Sequence, residues 1–571
     1  MHKNKVYIKF RLGVAVLLCL CSASMAEAKV KLPALISDGM VLQREQTVKV
    51  WGTADAGETV TVRFLKGKSA DNVKIALPSI TKGGKLKDTF TATADNSGKW
   101  SITLPPMKAG GPYLMSVNDI EIKDILIGDV WLCSGQSNME LPVSRVTDMF
   151  AEEIASYNND KIRHIIIPKV YNFHAPQEDT PQTSWKALNQ QNVMQFSALA
   201  YFFAKASYEK NGIPVGLVNS SWGGTPVEAW ISEEGLKEFP LYINDKRQYE
   251  DDAFCAHIKK VESENFSRWN RSLYLGDAGL HESTPWYAAD YDDSHWKTID
   301  MFSADWGNNG LNPIGGSHWL RKDVDIPQNY SGKEAILRLG CIVDADSVYV
   351  NGQFVGTTGY QYPPRIYKIP AGLLKAGKNN VTVRLISNGG QPSFVPEKPY
   401  KIIIPSEGQN EEISLEGTWK YRLGAPMPNA PSMMFFCYKP VCLYNAMIAP
   451  LKNYTFNGVI WYQGESNVSR RNEYASLLTA MIADWRRTFN RPNLPFYIVE
   501  LADFLSKDDI DGRKAWAEMR QEQAKAAKQN THTTLIKNSD LGEWNDIHPL
   551  NKKTLGERVA DAALKQTDDK K

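Results

Sequence analysis

The feature that most restricts the fold of this chain is a repeated alternation of short apolar runs with helical patterns. Ile125–Cys133 is mostly apolar, as a strand buried on both faces requires. Phe196, Leu199, Ala200 and Phe203 then recur at helical spacing, and Asn211-Gly212 with Pro214 ends that helix before an apolar strand at Val215–Val218. After a long interval the alternation resumes. Val459–Tyr462 reads as a strand; Tyr474, Leu477, Leu478, Met481, Ile482 and Trp485 share one helical face. Strand Phe496–Leu501, helix Ala515–Lys528, strand Thr533–Ile536 and a helix after Pro549 complete the series. Such strands are buried by a mostly parallel sheet with helices on both sides, so the expected class is α/β.

Two stretches stand outside that pattern. Residues 29–124 read as strands and turns: Thr47–Trp51 and Glu58–Leu65 are rich in Val and Thr, and Thr89–Ala94 leads through Asn96-Ser97-Gly98 into Trp100–Leu104, a hairpin signal. A small immunoglobulin-like β-sandwich is expected there. Residues 280–425 contain strand-like Trp319–Ile326, Ser347–Val350, Gln353–Gly356 and Asn380–Ile386, with Asn351-Gly352 at a hairpin tip. This is an all-β module set between the two parts of the α/β domain, 125–279 and 426–571. Through Ser347–Gly356 and Asn379–Leu385 it resembles the jelly-roll domains beside catalytic domains of glycoside hydrolases. Its Trp286, Trp296 and Trp319 are candidates for sugar stacking, with core packing the commoner use of tryptophan.

The first 28 residues carry Lys3, Lys5, Lys9 and Arg11, an apolar run from Leu12 to Leu20, and Ala26-Glu27-Ala28. That order is the signature of a secretory signal peptide, so a periplasmic or extracellular location is expected. No later stretch reaches membrane-spanning length. The net charge of +2, without a long basic run, gives no nucleic-acid footprint. Cys133, Cys255, Cys341, Cys437 and Cys442 remain beyond the signal, an odd number that allows at most two disulfides. Buried small hydrophobes with one bridge at most is the expectation.

Four polar blocks follow strands or open a helix, where open α/β sheets gather their ligands. In Gly135-Gln136-Ser137-Asn138-Met139, a serine on a tight strand-to-helix turn presents its hydroxyl, and its amide can face an oxyanion. Trp222-Gly223-Gly224-Thr225-Pro226 offers unshielded amide donors. Trp461-Tyr462-Gln463-Gly464-Glu465-Ser466-Asn467 supplies the Gln463 amide and the Glu465 carboxylate. Asp546-Ile547-His548-Pro549 places a histidine two residues from an acid that can fix its ring. Taken singly, each block also fits a bland role as helix cap, turn or solvated loop.

Together the run Gly128–Met139, Gly-Gly-Thr at 223–225, Trp461–Asn467 and Asp546–Pro549 resemble the ordered blocks of sialate O-acetylesterases. That family belongs to the SGNH hydrolase superfamily, with related acetylxylan esterases, and the likeness covers about 127–270 and 430–565. The resemblance implies an SGNH-type three-layer α/β/α domain acting on O-acetylated glycan, without metal or organic cofactor. It implies Ser137 as nucleophile and His548 as base. It implies the amides of Ser137 and Gly223 or Gly224, with the Gln463 side chain, as oxyanion hole. In many SGNH enzymes the oxyanion side chain is an asparagine, and the acid stands three residues before the histidine. Here it is Gln463, and Asp546 stands two before, which leaves Asp546 and Glu465 both open as the acid. An acetylxylan or other polysaccharide esterase would use the same groups. A glycosidase would need a carboxylate partner for Glu465, and a non-catalytic carbohydrate-binding protein would not need Ser137 and His548.

Overall fold

The computed structural model describes residues 30–68, 74–87, 89–303, 305–309 and 312–568. The expected signal peptide lies outside the described residues.

The architecture hangs on one long strand, Ile120–Gly135. Its first half pairs antiparallel with Gly110–Val117 and parallel with Val41–Gln43. Its second half runs between two parallel neighbours, Val215–Ser221 and Gly458–Tyr462. Across this central sheet the order is Lys186–Leu188, Asn159–Ile166, Val215–Ser221, Ile120–Gly135, Gly458–Tyr462, Phe496–Val499 and Thr533–Ile536. All these pairings are parallel except that of the edge strand Lys186–Leu188. From Ile125 to Gly135 the long strand is buried at every position, which is why it reads as a mostly apolar run, its buried Asp129 being paired with Arg44. The N-terminal β region and the central sheet share one core, which joins Val50, Val62 and Trp100 to Leu132, Val218 and Ile460.

Register places the helices. Trp131 lies opposite Gly458, three residues before Trp461, so the two indoles project from opposite faces. Trp131 meets Phe203 of helix Ala198–Asn211 with ring centroids 5.0 Å apart. Trp461 meets Trp485 of helix Tyr474–Thr488 at 5.6 Å. The first helix starts on Ser197, whose hydroxyl accepts from the Ala200 amide, and stops at Gly212 with φ +64°.

In the N-terminal region the expected hairpin is not formed. Thr89–Thr93 pairs with Thr59–Leu65, whereas Lys99–Leu104 pairs with Val48–Thr53. The Asn96-Ser97-Gly98 turn therefore passes the chain from one sheet to another. A turn signal fixes the reversal of direction and leaves the pairing partner to the apolar faces.

The insert has its own core. One sheet orders Lys297–Asp300, Thr418–Met427, Gly315–Ile326, Gly377–Ser387, Ala345–Val350 and Gln353–Thr358. The other orders Ile366–Ile369, Ala335–Leu339, Tyr400–Ile404 and Glu411–Ser414. Leu320, Val348 and Val383 of the first pack with Leu337, Ile369 and Ile402 of the second. Asn351-Gly352 does stand at a hairpin tip, between Ala345–Val350 and Gln353–Thr358. Trp286, Trp296 and Trp319 are buried against one another, which removes them as sugar-stacking candidates. The five cysteines are all buried and free, so the one bridge allowed for is not made.

Candidate active site

The first three polar blocks leave the carboxyl ends of parallel strands and are drawn together by backbone bonds, while Asp546–Pro549 stands in the loop between Thr533–Ile536 and the helix Lys552–Asp568. The Gln136 amide donates to Tyr462 O (3.0 Å) and the Trp222 amide to Gly135 O (3.0 Å). Gly135 makes the turn possible. Its φ is +135°, and a Cβ there would stand 2.0 Å from Tyr462 O. Gly135→Ala is therefore expected to lower stability by about 2 kcal/mol or more, read as a fall in the denaturant midpoint. An unchanged midpoint would contradict this account of the turn.

The turn delivers Ser137 to the first position of a short helix, Ser137–Glu140. A helix leaves its first amides without internal acceptors, so the Ser137 N–H is free to meet a negative oxygen. Nε2 of His548 lies 2.8 Å from Ser137 Oγ. For Nε2 to accept from the hydroxyl, the ring must carry its proton on Nδ1. That Nδ1 is buried and makes no hydrogen bond, and its nearest carboxylate oxygen is Asp546 Oδ1 at 3.8 Å. The same Oδ1 accepts the His548 amide at 2.8 Å, which curls the Asp546–His548 segment on itself. Burial, then the charges of Lys552 and Arg145, push the imidazole pKa down to about 3.

Glu465 stands elsewhere in the site. Its Oε1 accepts from Asn138 Nδ2 (2.7 Å), and its Oε2 is buried without a partner. Burial raises its pKa, against the opposing pull of Asn138 and Lys552. Asn138 also donates to Ile547 O (2.9 Å) and accepts from the buried Lys552 (2.7 Å). The residue after the serine thus ties down the loop that carries the histidine. Burial brings the Lys552 pKa down to about 7, opposed by Glu465, Asp546 and Glu543.

The expected oxyanion donors are placed unequally. Gly223 lies beside Ser137, since a Cβ on it would be 3.3 Å from the serine Cβ. Its amide donates to Glu140 Oε2 at 2.7 Å, and Lys169 pairs with the other oxygen of that carboxylate. Gly224 has φ +78° and packs on the Tyr438 hydroxyl, while its carbonyl accepts from Ser466 Oγ (2.8 Å). Gln463 corrects the expectation. Its NH₂ faces Asn467 Oδ1 (2.8 Å), Thr225 O (3.2 Å) and Gln136 Oε1 (3.3 Å), and the residue is wholly buried. With only two N–H groups already committed, it braces the blocks from beneath and has no donor left for Ser137.

Two further features carry no sequence signal. The ring of Tyr362, from the insert, stands edge-on to His548 with centroids 5.1 Å apart. Lys398, also from the insert, bridges Glu543 (2.8 Å) and Asp546 (3.2 Å). Asn545 Nδ2 donates to Pro396 O and Trp544 Nε1 to Glu397. The inserted module thus grips the histidine loop at several points. These contacts join residues between 145 and 186 positions apart, so nothing local in the sequence announces them. Among the described residues no cluster of His, Cys, Asp and Glu is arranged to hold a metal ion. Nor is any helix among them long and apolar enough to cross a membrane.

Residues 127–259 and 435–565 match the family described as carbohydrate esterase, sialic acid-specific acetylesterase. Sialate O-acetylesterase of Rattus norvegicus is 34% identical over 218 residues, which are 35% of this chain and 37% of that protein. The Homo sapiens protein of the same name is 31% identical over 244 residues, 40% of this chain and 43% of that protein. The chain thus matches about two fifths of the length of these curated relatives. A solved carbohydrate acetylesterase from Xanthomonas citri superposes with a TM-score of 0.52 at 23% identity. It covers 94% of this chain and 74% of that one, a likeness of fold.

Proposed function

We propose that this chain, whose α/β part is a domain of the sialic acid-specific acetylesterase family, is a serine esterase releasing acetate from O-acetylated carbohydrate, with O-acetylated sialic acid as substrate. The observation that carries the chemistry is the 2.8 Å contact between His548 Nε2 and Ser137 Oγ. Ser137 Oγ attacks the acetyl carbonyl while Nε2 takes its proton. The Ser137 amide meets the oxyanion, joined by Gly223 once Glu140 swings aside toward Lys169, or by Gly224. Collapse expels the sugar alkoxide, which receives the proton from His548. Water, deprotonated by the same ring, then hydrolyses the acetyl-serine and releases acetate. Asp546 supports the imidazolium: it is the carboxylate nearest Nδ1, and a small approach from 3.8 Å makes the bond. Glu465 holds Asn138 instead. Its buried setting also speaks against a glycosidase, which needs two carboxylates facing one glycosidic bond.

We take 29–124 as an N-terminal β-sandwich, 125–279 with 426–571 as the SGNH-type three-layer domain, and 280–425 as a jelly-roll-like insert. The opposed Trp131 and Trp461 faces support the layering, and the two-sheet core supports the insert. The basic, apolar and small-residue order of 1–28 supports export to the periplasm or beyond.

A base acts in its neutral form, so kcat/KM falls as pH drops through the His548 pKa. Because burial, Lys552 and Arg145 lower that pKa, the acid limb is expected well below the ordinary histidine value of about 6.5. A pH profile with a limb at or above that value would contradict the assignment. The substrate is tested by initial rates of acetate release from O-acetylated sialic acid and from acetylated xylo-oligosaccharide. A higher kcat/KM on the sialate ester is expected; preference for the xylan ester would refute the sialate assignment while leaving the esterase intact.

A further inference from the structure

Behind the Tyr362 ring that covers His548 stands a cation for which the described residues supply no paired anion. Arg145 closes the turn Val143–Arg145, shortly after the serine helix. It touches the insert loop at Tyr362, whose ring stands edge-on to His548 with centroids 5.1 Å apart, so one residue separates it from the histidine. Nη2 donates to the backbone carbonyl of Tyr362 at 3.0 Å, and Nε is buried with no acceptor. No carboxylate pairs with it among the described residues; the nearby Asp148 is taken by Arg338. A half-buried guanidinium with one arm orphaned is costly unless something completes it.

The wall opposite is rigid. Tyr362 sits in a loop whose carbonyls at Gln361 and Pro363 accept from Arg365 Nη1 (2.9 and 2.8 Å). Arg365 is itself fully buried and paired with Asp346 at 2.6 Å. This clamp holds the Tyr362 ring against His548, with the exposed Tyr360 ring 6.3 Å from it. A planar cationic fork beside a fixed aromatic edge suits a ligand that is both a sugar and an anion.

Resting on the substrate proposed above, we propose that Arg145, oriented by the insert through Tyr362 O, binds the carboxylate of an acidic sugar whose acetyl ester lies at Ser137. Nε–H and the Nη1 N–H groups, none with an acceptor among the described residues, are the in-plane donors left for the carboxylate. The insert would then serve as a specificity element, since its Tyr362 loop aims the arginine.

The test compares O-acetylated sialic acid with its carboxyl methyl ester, which keeps the acetyl group and removes the charge. Wild-type enzyme is expected to favour the acid in kcat/KM by about 10- to 100-fold, the value of a charge-assisted hydrogen-bonded pair. In Arg145→Met that ratio is expected to fall to near unity, with Arg145→Lys intermediate. Equal rates on acid and methyl ester by the wild type would overturn the proposal whether or not any variant folds. A preference for the acid that survives in Arg145→Met would also overturn it. Turnover of acetylated xylo-oligosaccharide with neither sialate ester accepted would instead refute the substrate on which it rests.

Discussion

Ser137→Ala is expected to lower kcat for acetate release by about 10⁴-fold or more, the loss that follows removal of a nucleophile acting as a unit with its base. The substitution removes one oxygen from a partly exposed side chain and leaves the turn to Gly135, so the thermal midpoint should barely move. Residual activity within about tenfold of wild type in a folded Ser137→Ala protein would remove the serine from the reaction.

The second large effect separates the two acids. Asp546→Asn is expected to cost about 10²- to 10⁴-fold in kcat with KM little changed, since the imidazolium would lose its neighbouring charge. The asparagine oxygen can still accept the His548 amide, so the loop keeps its curl. Glu465→Gln should act mainly on stability. It removes one of the three carboxylates that offset the buried Lys552, the one linked to it through Asn138, a disruption worth about 1 to 3 kcal/mol. Its kcat is expected to stay within about tenfold of wild type once the protein is folded. The reverse pattern, with Glu465→Gln the more damaging to kcat, would make Glu465 the acid partner. Steady-state kinetics on both variants, alongside their denaturant midpoints, separates the cases.

How far the sequence announced this site depended on whether each signal was local. The second half of the long strand, Ile125–Cys133, was legible because burial on both faces calls for a mostly apolar run; its first half, with Glu121, Lys123 and Asp124 exposed, was not. Helix Ala198–Asn211 was legible because its stop, Asn211-Gly212, is written in adjacent residues. The strand Asn159–Ile166 was not, since Asp160, Lys161, Arg163 and His164 interrupt its apolar residues; Arg163 is instead paired to Asp124 within the fold. The 25-residue helix Asp252–Gly276 escaped notice because much of its surface is exposed, apolar residues such as Phe254 and Val261 included, which blurs any single stripe.

Within the site, Ser137, Gly223 and Glu465 stood out because each block is short and polar after an apolar strand, and His548 because it stands two residues from an acid at a helix entrance. The role of Gln463 did not follow from its position. A side-chain amide after a strand can point up into a cleft or down into the floor, and the acceptors that draw it down come from other blocks. Tyr362, Lys398 and Arg145 were equally silent. Their meaning comes from where the insert docks, and docking joins chain segments that share no local pattern.

The serine is tested most directly by trapping the covalent intermediate. Wild-type enzyme is mixed with an activated acetyl ester such as 4-nitrophenyl acetate, quenched in acid during the first turnover, digested and analysed by mass spectrometry. The mechanism predicts one acetyl group on the peptide that contains Gly135-Gln136-Ser137-Asn138, localised to the Ser137 oxygen and absent from Ser137→Ala. Acetylation at another residue, or acetate release with no acetyl-enzyme and undiminished by Ser137→Ala, would contradict it.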